Sequence, residues 1–122
     1  QVTERVIDAV AGGAGAVIPV LPVTDTLKTV DASGVVTGTP PRSDMVAVQT
    51  PQGFRWEVLI RAHEEGASLG ANEARAATDD AGLVEAIGGT VHTVAGDERS
   101  MKVTHPLDLA LAQILVDEET SA

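Results

Sequence analysis

Three short polar stretches of this 122-residue chain carry groups able to do chemistry. Gln49-Thr50-Pro51-Gln52 places two amides and a hydroxyl where an apolar run ends, and the carboxyl ends of strands are where open α/β sheets bind ligands. Thr78-Asp79-Asp80 puts a hydroxyl at the start of a helical pattern, where free backbone amides make a ready anion site. Lys102 sits in Lys102-Val103-Thr104, just ahead of a helix opened by Pro106. Each stretch also has a simple structural reading: strand end, N-cap and surface lysine. Jointly they say more than any one of them.

Other chemistries find less support. Ala11-Gly12-Gly13-Ala14-Gly15 superficially resembles a phosphate loop. That mechanism needs a strand leading into the glycines and a helix leaving them, so that helix amides face the phosphate. Here the predicted order is reversed, as it is at Gly88-Gly89, and both pairs read as helix caps. His63, His92 and His105 share no metal-ligand spacing. No arrangement of Ser, His and Asp suggests a triad, and Gly-x-Ser-x-Gly is absent.

Composition narrows the partners. Eighteen acids against eight bases give a net charge of −10, which opposes the phosphate-backbone grip of nucleic-acid binding. Trp56 and Phe54 are the only aromatics, too few for a base-stacking platform. The charge is lopsided. Residues 1–56 hold five acids and four bases, whereas 57–122 hold thirteen acids and four bases. Most of the acid reads as solvated helix faces and a polar tail at Asp117-Glu118-Glu119. Hydrophobic residues make up 43%, enough for a folded core. No apolar run is long enough to span a bilayer, no signal-peptide pattern is visible, and zero Cys leaves no disulfide framework. A cytoplasmic protein with no membrane or nucleic-acid partner is expected.

The elements that must position the polar stretches follow from periodicity. Val2, Val6, Ile7 and Val10 predict a helix over 2–11, ended by Gly12-Gly13. Ala14–Val20 is a continuous apolar run, predicted as a strand buried on both faces. Residues 23–30 alternate as a half-exposed strand, Asp31-Ala32-Ser33-Gly34 is a hairpin signal, and 35–39 return the chain. The 23–43 stretch is expected to project as a β-arm. Val46–Thr50 predicts a core strand. A helix over 55–65 should turn Trp56, Leu59, Ile60 and His63 to one face and end at Gly66. Residues 67–77 show no pattern and read as a loop. Thr78 should cap a helix over 79–87. A strand at 90–94, a short strand at Lys102-Val103, and a helix from Pro106 to Val116 complete the chain. In that last helix Leu107, Leu109, Leu111, Ile114 and Leu115 are expected mostly inward. The order is α/β, without internal repeat.

Four strings carry a resemblance: Leu21-Pro22-Val23-Thr24-Asp25-Thr26-Leu27-Lys28; Ala47-Val48-Gln49-Thr50-Pro51-Gln52-Gly53-Phe54; Thr78-Asp79-Asp80-Ala81 with Leu83-Val84-Glu85; and Lys102-Val103-Thr104 with Pro106 and Asp108-Leu109. In order and spacing the chain resembles the C-terminal half of the 2-C-methyl-D-erythritol 4-phosphate cytidylyltransferases. The resemblance implies an α/β fold over residues 1–122, the C-terminal half of a Rossmann-like nucleotidyltransferase sheet with a protruding β-arm at about 23–43. It implies that the N-terminal half with the CTP-binding loop is absent, in keeping with a chain that starts at Gln1 inside a helical pattern. The 122 residues alone are then expected to be inactive.

The implied reaction joins CTP and methylerythritol phosphate to give the CDP-alcohol and pyrophosphate, with Mg2+ held outside this chain. The implied substrate-phosphate ligands are Thr26 and Arg42 from the partner of a homodimer built on the arm, and Thr50, Thr78 and Lys102 from the main body. Departures from the family pattern lie mainly at 67–77 and His105. The chemistry suits these residues. A phosphate monoester with its second pKa near ~6 is mostly dianionic at neutral pH and needs no general base. What remains is bringing two anions together and stabilising charge. Lys102 would act as a point charge and Arg42 as a fork. Two alternatives remain from the sequence, a ribitol 5-phosphate cytidylyltransferase and a non-catalytic dimerisation fragment. Asp25-Thr26-Leu27-Lys28 favours methylerythritol phosphate.

Overall fold

A computed structural model describes residues 1–68 and 78–121. Helix α1 (Val2–Ala11) buries Val2 and Val6, which lie one turn apart on its inner face. It stops where Gly13 adopts φ 119°, a conformation costly for any residue with a Cβ. The chain then enters β1 (Ala16–Pro22), whose first four residues are buried. This apolar run is the axis of the molecule.

Strands β4 (Val46–Val48) and β5 (Gly53–Phe54) pair antiparallel with β1, and β6 (His92–Ala95) pairs parallel with it. Val17 pairs with both Gly53 and His92, and Val20 with both Val48 and Ala95. A residue in a sheet has one partner per edge, so β6 lies on the edge of β1 opposite β4 and β5. The result is a four-stranded mixed sheet. Helix α1 packs on β1, β5 and β6. Helices α2 (Trp56–Ser68) and α3 (Asp80–Ala86) contribute Ala62 and Val84 to a fully buried cluster with Ala16. Among the described residues no helix is long and apolar enough to cross a membrane.

Strands β2 (Thr29–Val30) and β3 (Val36–Gly38) form a separate two-stranded antiparallel sheet. Its turn is held by Asp31, whose Oδ1 accepts the Ser33 hydroxyl at 2.6 Å and the backbone N–H groups of Ser33 and Val35 at 2.9 and 3.1 Å. Those bonds hold the Asp31 carboxyl below the usual carboxylate range, the Ser33 hydroxyl most of all. Lys28 Nζ donates to Thr39 Oγ1 at 2.8 Å across the base of the hairpin. Strand geometry is confined to these few residues rather than beginning at 23.

Several sequence expectations are corrected by packing. β4 is an exposed strand rather than a core one, with Val46 and Val48 about half exposed. β5 was not anticipated, because two residues carry no alternation. Trp56 points outward at 72% exposure, and His63 is exposed as well. Leu59 and Ile60 are half-buried, as is Val58, and the buried positions of α2 are Ala62 and Gly66. Small residues sit there because the helices approach closely: a Cβ on Gly66 would lie 3.2 Å from Leu83 Cδ2. Gly66 therefore does not end the helix, which continues through Ser68. The remainder of the expected 67–77 loop, residues 69–77, lies outside the described residues.

Lys102-Val103 is not a strand but part of an extended link into helix α4 (Pro106–Thr120). Helix α4 opens on Asp108, whose Oδ2 accepts the backbone N–H groups of Thr104 and His105 at 3.0 and 2.9 Å. Leu107, Leu109, Leu111 and Ile114 are exposed, contrary to expectation. Residues two apart fall on opposite sides of a helix, so this apolar set surrounds α4 instead of forming one stripe.

Candidate functional site

The end of β4 is the centre of the site. There the chain leaves its pairing with β1, passes the cis Thr50-Pro51 peptide bond, and re-enters the sheet as β5. Of the intervening residues, Gln49, Thr50 and Gln52 line a cavity of about 410 Å3. Thr50, Thr78 and Lys102 all line this cavity. They come from three separate segments, so the fold brings together what the sequence keeps 28 and 24 residues apart.

Each segment is held by side chains beside the donors rather than by the donors themselves. Gln52 Nε2 donates to Asp79 Oδ2 at 2.8 Å, and Gln52 Oε1 accepts the Ala81 N–H at 3.4 Å. This ties the Thr50 segment to the start of α3. Asp79 Oδ1 accepts the Gly82 N–H at 2.7 Å, which makes Asp79, not Thr78, the N-cap of α3. A carboxylate is the stronger local acceptor, so the Thr78 hydroxyl is left for the cavity. The same geometry corrects the anion site expected at this helix N-terminus. α3 has seven residues, and its leading amides already meet Asp79 and Gln52.

Lys102 is the cation of the cavity. Among the described residues the salt bridges belong to Arg61, His63 and Arg99, which leaves the Lys102 ammonium without a carboxylate partner. Arg99 joins Glu118 and Glu119 at the far end of α4. Gln49 reaches the segment before Lys102: its Nε2 donates to Asp97 O at 2.8 Å and its Oε1 accepts the Asp97 N–H at 3.0 Å. This contact was invisible in the sequence. The nearest signal is the Gly96-Asp97 turn dipeptide, which says nothing about its partner.

Thr26 and Arg42 are not brought to this cavity within one chain. Arg42 opens a short 3-10 turn, Arg42–Asp44, and its Nη1 donates to Thr24 O at 2.8 Å, closing the base of the hairpin segment. The three histidines have structural settings. His63 Nε2 meets Asp80 Oδ1 at 2.9 Å between α2 and α3, His92 lies in β6, and His105 precedes α4. Among the described residues no three His, Asp or Glu side chains assemble a metal site.

Solved structures share this fold. The fold matches the 2-C-methyl-D-erythritol 4-phosphate cytidylyltransferase of Thermus thermophilus with a TM-score of 0.75 and 40% identity, over 94% of this chain and 54% of that one. The Francisella tularensis protein of the same name matches with a TM-score of 0.80 and 25% identity, over 92% of this chain and 51% of that one. The class is thus the α/β nucleotidyltransferase fold. At the sequence level, the family described as IspD, 2-C-methyl-D-erythritol 4-phosphate cytidylyltransferase, matches residues 1–118. The chain belongs to this family. Curated relatives of that name from Rhodococcus jostii (strain RHA1) and Nocardia farcinica (strain IFM 10152) are 54% and 50% identical over 93% and 96% of the chain. The chain spans about half the length of these relatives, 47% in each case.

Proposed function

We propose that a protein carrying this chain transfers the cytidylyl group of CTP to 2-C-methyl-D-erythritol 4-phosphate, in the non-mevalonate route to isoprenoids. Within it this chain forms the substrate-phosphate side. The observation that carries the reading is the convergence of Thr50, Thr78 and an unpaired Lys102 on one cavity. Two hydroxyls and one ammonium can hold a phosphate dianion, adding a single positive charge to an otherwise acidic surface. The monoester oxygen attacks the α-phosphorus of CTP, and the bond to the β-phosphate oxygen breaks to release pyrophosphate. No proton need be removed first. The names of the curated relatives support methylerythritol phosphate over ribitol 5-phosphate as the acceptor.

The reading extends to what one chain lacks. Thr26 and Arg42 lie in or beside the hairpin segment, away from the cavity, and they complete the phosphate site from the partner of a homodimer formed through residues 23–43. Mg2+ would lower the charge of the nucleotide phosphates, with ligands outside this chain. Gly12 and Gly13 leave a helix and lead to a strand, the reverse of a nucleotide loop, and the 122 residues alone should be inactive. The reaction takes place in the cytoplasm.

The test is kinetic, in a protein of family length that carries this sequence. Losing a hydrogen bond to a charged group costs roughly 1.5–3 kcal/mol, so Lys102→Met should lower kcat/KM for methylerythritol phosphate by about 10- to 100-fold. Preference for ribitol 5-phosphate, or undiminished turnover by Lys102→Met, would overturn the proposal. Mixed dimers of Arg42→Ala and Lys102→Ala chains should regain activity that neither variant has alone.

A further inference from the structure

We propose that Gln49 is the positioning residue for Lys102, acting through the 97–100 turn. The inference rests on the substrate-phosphate reading above. Gln49 follows β4 on one edge of β1, and Gly96 follows β6 on the other. Their backbones dock on consecutive carbonyls: Gln49 N–H on Pro19 O and Gly96 N–H on Val20 O, both at 2.8 Å. Successive carbonyls of a strand point to opposite edges, so the Gln49 side chain must cross β1 to reach the segment beyond β6.

It arrives with every polar atom occupied. Nε2 donates to Asp97 O at 2.8 Å and to Ser100 O at 3.4 Å, and Oε1 accepts the Asp97 N–H at 3.0 Å. A primary amide has two N–H donors, and both are committed to carbonyls. Gln49 lines the cavity with no donor left for a ligand, so it holds the wall rather than the substrate. The turn it grips is closed on itself, with the Ser100 N–H on Asp97 O at 2.9 Å and the Arg99 N–H on Asp97 Oδ1 at 2.8 Å. From the α1 side, Arg5 Nε donates to Ala95 O at 2.8 Å and Nη2 to Gly96 O at 3.4 Å.

Gly96 is the matching half of the device. A Cβ there would run into Gln49 Oε1 and lie 3.0 Å from Val20 O, so only glycine leaves room for the amide to cross. Lys102 stands two residues beyond Ser100, which limits its Cα to about 7 Å from the gripped residue. Lys102 itself lies outside any helix or strand. A cation on an irregular link can be aimed only if the link is anchored, and Gln49 anchors it to the same segment that carries Thr50. One side chain thereby couples two of the three phosphate donors.

The experiment is a double-mutant cycle in a protein of family length carrying this sequence, comparing Gln49→Met, Lys102→Met and the double variant. Gln49→Met keeps the length of the side chain and removes all three bonds. It should lower kcat/KM for methylerythritol phosphate on the order of 10- to 100-fold, the scale expected when a charged group is misplaced by about an ångström. In the Lys102→Met background the same change should cost less than about twofold, because the group it positions is gone. Gln49→Glu keeps the acceptor for Asp97 N–H but sets a carboxylate against two carbonyls, and should behave like Gln49→Met in the cycle. If the losses multiply, or if neither Gln49 variant reduces kcat/KM, the positioning role is wrong while the substrate-phosphate reading stands. If Lys102→Met alone is fully active, that reading fails first, and this one with it.

Discussion

Replacing Asp79 and Thr78 in turn separates folding from binding at one helix start. Asp79 Oδ1 caps α3 through the Gly82 N–H at 2.7 Å, and Oδ2 receives Gln52 Nε2 at 2.8 Å. An N-cap is worth about 1 kcal/mol, and the second bond about 1 kcal/mol in this half-exposed setting. Asp79→Ala should therefore cost about 2 kcal/mol. With a urea slope of about 2 kcal/mol/M the unfolding midpoint falls by about 1 M, and the melting temperature falls by roughly 8 °C for a chain of this size. Asp79→Asn keeps the capping oxygen but faces Gln52 Nε2 with an amide, and should lose about half as much. Thr78→Ala should leave the unfolding free energy within about 0.5 kcal/mol of the parent, because Thr78 caps nothing. Its effect should appear as a higher KM for the phosphate substrate. A Thr78→Ala loss of stability equal to that of Asp79→Ala would refute the assignment of the cap, and with it the availability of the Thr78 hydroxyl to the cavity.

Other outcomes follow from the packing and the turn. A methyl on Gly53 would sit 2.5 Å from Val6 Cγ1 and 3.1 Å from Val10 Cγ2, so Gly53→Ala should cost about 1–3 kcal/mol by overpacking α1 against β5; urea unfolding measures it. Val84→Ala empties part of a fully buried cluster and should cost about 2 kcal/mol, whereas Val46→Ala on exposed β4 should stay within about 0.5 kcal/mol in the same assay. The Asp31 carboxyl is held below its ordinary value of 3.8, so its contribution to the hairpin is present above that pH and is lost as pH falls through the lowered value. Amide resonances of Ser33 and Val35 should move together in that acid range and should lose the transition in Asp31→Ala.

Local rules in the sequence determined most of the elements. The apolar run at Ala16 predicted the central strand, Gly12-Gly13 and Gly88-Gly89 marked helix ends, and Asp31–Gly34 marked the hairpin, because each depends on neighbours within a few residues. The residue types at Thr50, Thr78 and Lys102 marked polar sites in the sequence, and only resemblance to a family proposed them as phosphate ligands. Tertiary structure decided what faces what. Trp56 lost its inward place to Val58 and Ala62, because helices that approach closely select small side chains and not large ones. Thr78 lost the cap to Asp79, and Gln49 found its partners 48 and 51 residues away. A single chain's periodicity records which residues avoid water. It does not record which strand edge a carboxamide will cross, because that depends on β1 lying between two segments that the sequence never places together.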